Sequence, residues 1–278
     1  MTRETDYNEI KAKFRKFANA WASTQVDALD DVILEDAKSY FSIFGSEKPL
    51  SRQLLKENLA IRTHVWDYAR IDINNYVCLI EGNQAQQIAY LNGLWSDNTD
   101  SNYQHYCWSG QMANHWVKTS EGWRMDSLRF DLNLDDYNIL GRREDDLSFI
   151  LNKGPGNIEF QSNWIGITDK LGWFKGTPLP AICPELDAPW FVIKNPENIG
   201  SDLEQVEELF YKYCFAIDTD CFTLFTQTFS PYLIANIFWG SQDFRQLLQT
   251  LKLNRAGSRR CQHMGKLGKW IVKDDLAY

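Results

Sequence analysis

Four histidines and six cysteines supply most of the reactive chemistry open to this chain. Imidazole is the side chain whose ordinary pKa lies nearest neutrality, so a histidine beside a carboxylate is the simplest acid–base pair a protein can build. His64 and His263 stand out by position. Each follows a copy of the tetrapeptide RQLL, at 52–55 and 245–248, and each leads into a strand-like run, VCLIEGNQA (77–85) and WIVKDDLA (270–277). His105 and His115 lie in one long apolar stretch with the same parity, and so on the same face if that stretch is a regular strand. Asp218 is a carboxylate at the end of an aromatic-rich helical segment, which reads equally as a turn aspartate or as a functional group. The cysteines Cys78, Cys107, Cys183, Cys214, Cys221 and Cys261 contain no CxxC pair, and no histidine has HxxxH spacing. No metal site and no cofactor are therefore expected, and the thiols read as reduced and buried, in a cytoplasmic protein.

These residues need elements to hold them. Ile10, Phe14, Phe17 and Trp21 recur at spacings of four, three and four, the stripe of an amphipathic helix over 7–25. A second short helix fits Val26 to Leu34, and SYFSIFG (39–45) alternates like a strand. Ser51 is placed to cap a third helix, RQLLKENLAIR. From Tyr68 the period changes to two. ARIDINNYVCLIEGN, AQQIAYLNGLW, YQHYCWSGQMANHWVKT and WRMDSLRFDL read as long strands, with turns at 81–83 and 120–122 and a bend at Gly110. Helices followed by long antiparallel strands make an α+β domain over 1–134. Residues 135–200 hold six of the eight prolines and lack periodicity, which suggests an extended linker. Its aromatic content is too high for a disordered tether.

At 201 the opening theme restarts. Ser201 or Asp202 caps a helix bearing Val206, Leu209, Phe210 and Tyr213, followed by AIDTDCFTLFTQTF, YLIANIFWG and DFRQLLQTLKL. The order of features repeats that of the first half, so 201–278 reads as a second, partial copy. Its apolar residues, among them Phe215, Phe222, Phe225, Phe229 and Phe238, would ordinarily pack on several strands, and the segment supplies only one or two. The linker or another chain must cover them.

The bulk numbers exclude some partners. Net charge is −8 without a basic stripe, so no nucleic-acid surface is expected. The N-terminal residues have no signal-peptide-like apolar stretch and no run approaches a membrane span, so no membrane association is expected. Eleven tryptophans within an aromatic share of 14% suit either a large core or a pocket for a flat apolar ligand.

AIDTD after a helix, a histidine leading into a strand, and the hairpin GQMANHWVKTSEGWRM together resemble the SnoaL-like, nuclear-transport-factor-2-like superfamily. The resemblance covers most of 8–131 and again 202–278. It implies a cone-shaped, cystatin-like α+β fold: three N-terminal helices on a curved antiparallel sheet, plus a second partial copy. It also implies a small-molecule pocket that binds an apolar ligand or acts as a cofactor-independent isomerase, cyclase or dehydratase. The alternative is a non-enzymatic interaction or dimerisation module. Under the resemblance His64, Asp218 and His263 are the catalytic candidates, Trp21, Tyr40, Tyr90, Trp95, Trp108 and Met112 line the ligand pocket, and a homodimer is expected. The first copy departs from the pattern: Asp27 aligns with Asp220, and Ser23 or Thr24 stands where Asp218 would be. A substitute carboxylate, Asp67 or Asp126, is then needed for catalysis there.

Overall fold

Helix α1 (Arg3–Ser23) carries the stripe read from the sequence, with Ile10, Phe14, Phe17 and Trp21 all fully buried. The computed structural model describes residues 3–44, 48–61, 66–96, 105–135, 180–237, 240–257, 262–265, 271–273 and 276–277. The second helix is a 3-10 helix, Val26–Asp31, shorter than the pattern suggested, because β1 (Ile33–Phe41) begins inside the expected span. Pairing decides this. Met125 N–H donates to the Val32 carbonyl at 2.8 Å, and Ile33 pairs with Met125, so the sheet claims that backbone. Helix α2 (Arg52–Ala60) starts as expected at Ser51, whose hydroxyl accepts from Leu54 N–H at 3.2 Å.

The strands β2 (Tyr68–Glu81), β3 (Gln84–Ser96), β4 (His105–Thr119) and β5 (Gly122–Asp135) form an antiparallel meander, and β1 adds to β5 in parallel. The order is β1-β5-β4-β3-β2. The bend expected at Gly110 is present, but the extra residue lies in β5. Pairing slips opposite Ser109/Gly110 and again opposite His115/Trp116, where β5 bulges at Asn133 and Asp126. Gly110 itself must be glycine, since a Cβ there would strike the Phe130 ring and the Asp131 carbonyl.

On the concave face, α1 packs against Leu91, Trp95, Trp108, Met112, Trp116, Leu128 and Phe130 in one fully buried core. The opposite face of the same sheet is also apolar. Val77, Leu79, Ile88, Tyr90 and Ala113 pack with Ile182, Ala188 and Ile193 and with a group of helices later in the chain. Those helices are α3 (Pro184–Asp187), α4 (Pro189–Val192), α5 (Asp202–Asp218) and α6 (Phe222–Phe225). Beyond them lie the short strands β6 (Ile234–Ile237) and β7 (Gly240–Asp243), which pair with each other, then α7 (Phe244–Gly257) and the pair β8 (Val272–Lys273) and β9 (Leu276–Ala277). Residues 180–193 and the outer face of the first sheet therefore cover Phe215, Leu224 and Phe225 of the later segment. Use of the sheet's outer face in this way was not expected from the sequence. Phe238 lies outside the described residues.

Gly93 sits opposite Trp108 where the indoles are most crowded, and a Cβ there would fall within the Trp108 and Trp95 rings. Gly93→Ala is expected to destabilise the chain by about 1–3 kcal/mol through overpacking. A urea titration followed by tryptophan fluorescence checks this; an unchanged midpoint would show that the indoles can part at little cost.

Candidate functional site

Aromatic rings crowd the middle of the space between α1 and the sheet. Trp21 and Trp108 ring centroids are 5.1 Å apart, Trp95 and Trp108 5.3 Å, Trp21 and Phe130 5.2 Å, and Phe41 and Phe130 5.4 Å. Together with Met112 these rings fill the space between α1 and the sheet. The candidate lining residues thus divide. Trp21, Trp95, Trp108 and Met112 are core on the concave face. Tyr90 lies on the outer face. Tyr40 is half-buried, with the Arg129 guanidinium 4.4 Å above its ring. His64 lies outside the described residues. His105 is in β4, its side chain outside the described set, and His115 Nδ1 meets Asp126 Oδ1 at 2.6 Å. That contact exists because Asp126 is the bulged residue of β5.

The outer face is where polar groups converge. Two carboxylates of the first sheet grip the segment that follows it. Asp131 accepts from Ala181 and Ile182 N–H at 2.8 and 3.0 Å. Glu81 accepts from Lys194 N–H at 3.2 Å and from the Asn195 amide at 2.9 Å. Asn198 then pairs along β2, its Oδ1 accepting from Ile80 N–H and its Nδ2 donating to the Cys78 carbonyl, both at 2.8 Å. The free edge of β2 is thereby covered. Arg129 bridges to Asp187 at 2.8 Å, and burial pushes the Asp187 carboxyl up from its ordinary pKa even so.

At the centre of this seam the structure brings Asp218 and His263 together. Asp218 ends α5, and its side chain is completely buried. Its Oδ1 meets His263 Nδ1 at 2.5 Å. Its Oδ2 accepts the His263 backbone N–H at 2.6 Å and the Tyr90 hydroxyl at 2.8 Å. Burial, then the charge of Asp218, pushes the Tyr90 phenol well above its ordinary pKa, so it remains a hydrogen-bond donor. A carboxylate only accepts, so Nδ1 donates in this contact; in the neutral imidazole the Nε2 lone pair is then left over. The His263 side chain is 46% exposed, and no hydrogen bond to Nε2 is found among the described residues. Tyr213 approaches the ring edge-on, with centroids 6.3 Å apart.

The segment carrying His263 is fixed by the first sheet. Gln262 Nε2 donates to the Gly110 carbonyl at 3.3 Å, and Asn75 Nδ2 donates to the His263 carbonyl at 2.8 Å. Gly265, two residues on, lines a cleft of about 470 Å³ with Tyr7, Lys11, Phe14, Asn75, Tyr76 and Tyr211. Lys11 Nζ stands 5.4 and 5.5 Å from the Tyr7 and Tyr76 ring centroids. Open volume thus lies at the seam between α1, β2 and α5, next to the segment bearing the Asp–His pair. Sequence reasoning paired neither Tyr90 nor Asn75 with that site. The one signal was the polar pair Asn74-Asn75 in the middle of β2, where the ladder bulges. Of the cysteines, Cys78, Cys214 and Cys221 are buried, Cys107 is half-buried, Cys183 is exposed, and Cys261 lies outside the described residues. Burial pushes Cys78 up to about 12, so it stays a protonated, inert thiol.

No protein-family model and no curated protein matches this chain. Among solved structures it is similar to a protein from Kribbella flavida, with a TM-score of 0.43 at 18% identity, over 48% of this chain and 95% of that one. It is similar to a nuclear-transport-factor-2-like superfamily protein from Salmonella enterica, with a TM-score of 0.39 at 11% identity, over 47% and 93%. It is also similar to a hexachlorocyclohexane dehydrochlorinase, with a TM-score of 0.40 at 12% identity, over 48% and 88%. What the dehydrochlorinase acts on is a property of that enzyme. For this chain the α+β class rests on the helix placement and strand order of residues 3–135, which follow the plan that the resemblance implies. No helix among the described residues is long and apolar enough to cross a membrane.

The seam carries a pH dependence. Hydrogen bonds from the Asn195 side chain and then its backbone hold Glu81 below its ordinary 4.5. A depressed carboxyl contributes stability above the unfolded value, and that contribution is lost as pH falls through the folded one. The Lys194 and Asn195 amides should therefore lose hydrogen-exchange protection below about pH 4.5, ahead of the β3–β4 amides, after correction for intrinsic rates. Glu81→Gln should show the same loss at pH 7. Equal protection in both proteins across pH would show that Glu81 does not hold the segment.

Proposed function

We propose that the chain is a small-molecule pocket protein whose proton-transfer group is the Asp218–His263 pair, acting without a cofactor in an isomerase-, cyclase- or dehydratase-type reaction on an apolar substrate. One observation carries this reading. A fully buried carboxylate, fixed by two other donors, meets His263 Nδ1 at 2.5 Å and leaves the Nε2 of a half-exposed ring unbonded among the described residues. An imidazole oriented in this way can take a proton from carbon at Nε2 and return it elsewhere. The carboxylate stabilises the imidazolium in between. Substrate would approach from the seam, where the neighbouring cleft offers three tyrosine rings and the Lys11 ammonium. The same fold hosts many functions, so the reaction class is carried by the resemblance alone, and the site argues only for the proton-transfer role.

A second reading, a non-enzymatic interaction or dimerisation module, is favoured by the first half's interior, which Trp21, Trp95, Trp108 and Met112 fill. An interior crowded by these side chains suits packing better than ligand binding, and the first half lacks the aspartate that the second half has. If the catalytic reading fails at the seam, this one remains for residues 3–135.

Proton removal from carbon is common to the proposed reactions, so solvent-deuterium incorporation tests them together. A panel of apolar compounds with acidic C–H groups, such as cyclic enones, 2-tetralone and β-hydroxyketones, would be incubated in D2O and followed by NMR. Exchange in at least one member should be faster with the wild-type chain and fall about 10²-fold or more in His263→Gln, the usual share of one general base. Identical exchange in wild type and variant across the panel would sink the catalytic reading.

A further inference from the structure

We infer that Tyr90 and Asn75, both from the first sheet, are positioning residues for the Asp218–His263 pair, so that the two halves of the chain build one site between them. The inference rests on the acid–base reading and adds residues that the resemblance does not supply. Tyr90 projects from the outer face of β3 and gives its O–H to Asp218 Oδ2 at 2.8 Å. With the His263 backbone N–H also on Oδ2, the carboxylate has little freedom to rotate and presents Oδ1 to Nδ1. Asn75 controls the other end of the histidine. It has a φ of +45°, in the left-handed region uncommon for residues other than glycine, and is only 2% exposed. It sits where the β2–β3 register slips between Asn74 and Val77. A bulge of this kind re-aims a side chain out of the ladder, and backbone strain of this kind persists only where the surroundings impose it. Here the re-aimed amide is wholly engaged by the later segment. Its Nδ2 donates to the His263 carbonyl at 2.8 Å, and its Oδ1 accepts from Gly265 N–H at 3.3 Å. Neither residue bonds the imidazole. Tyr90 acts through Asp218, and Asn75 acts through the backbone on both sides of Met264.

The test reads the imidazole directly, in the full-length chain, with long-range 1H–15N spectra assigned by comparison with His263→Gln. In the wild type, the ring nitrogens should report a single tautomer with the proton on Nδ1. Tyr90→Phe removes one oxygen and leaves the ring packed. It should move both ring nitrogens toward averaged shifts while the melting temperature changes by only a few degrees, as the loss of one hydrogen bond implies. Asn75→Gly accepts the positive φ and deletes the amide, and should give the same shift toward the average. Where deuterium exchange is found, Tyr90→Phe should lower kcat about tenfold with KM within about twofold, since one hydrogen bond to a charged group is worth about a factor of ten or more. Unchanged His263 ring signals in both folded variants would overturn the inference. The readout needs no substrate. Tautomer averaging in Tyr90→Phe without any wild-type turnover would keep the positioning role and remove the catalytic one. Turnover lost in His263→Gln with the tautomer intact in both variants would do the reverse.

Discussion

A sheet that is apolar on both faces must be covered twice, and much of this molecule follows from that requirement. Helix α1 covers the concave face with Phe14, Phe17 and Trp21. The outer face, bearing Val77, Leu79, Ile88 and Tyr90, needs another layer. A single exposed side chain of this size forfeits about 1.5–3 kcal/mol, so several together would rival the whole stability of a domain. Residues 180–225 provide the layer. In doing so they bury Phe215, Leu224 and Phe225, which the short strand pairs β6–β7 and β8–β9 further along the chain do not cover. Each half supplies the surface that the other lacks.

The same constraint explains where the polar chemistry sits. The core on the concave face is aromatic and aliphatic, whereas the second interface contains the end of α5 and thus Asp218. A carboxylate buried there must be satisfied, because an unpaired buried charge costs several kcal/mol. Tyr90 and His263 meet that demand. The short contacts at Asp218 are therefore a condition of burying the seam as well as a feature of the site. Elsewhere the seam uses the same device, a carboxylate receiving backbone N–H groups, at Asp131 and Glu81.

The fold was largely legible in the sequence because its main signals are local. The stripe in α1, the Ser51 cap and the period-two runs each depend on neighbours within a few residues. The second helix came out short because Val32 and Ile33 answer to Met125, ninety residues away, which no local pattern reveals. The site was legible in part. Asp218 and His263 were singled out by their order in the repeated half, and they meet. The lining residues were grouped under the resemblance and the pleat divided them: Tyr90 points away from Trp95 because five positions reverse the side of a strand. Asn75 could not have been assigned, since its partner is 188 residues distant.

That separation also has a consequence for how the molecule comes into being. During synthesis the first sheet, with its local meander, can complete itself once Asp135 has emerged, and its outer face then waits bare for a covering layer. Contacts that close long loops form late, because the chain must lose more entropy before any of them is rewarded. The grip of Asn75 on His263 cannot exist until residues beyond 263 have left the ribosome. The nascent chain thus passes through an interval with a formed domain, an exposed apolar face and no Asp218–His263 pair. In that interval it is a natural client for chaperones.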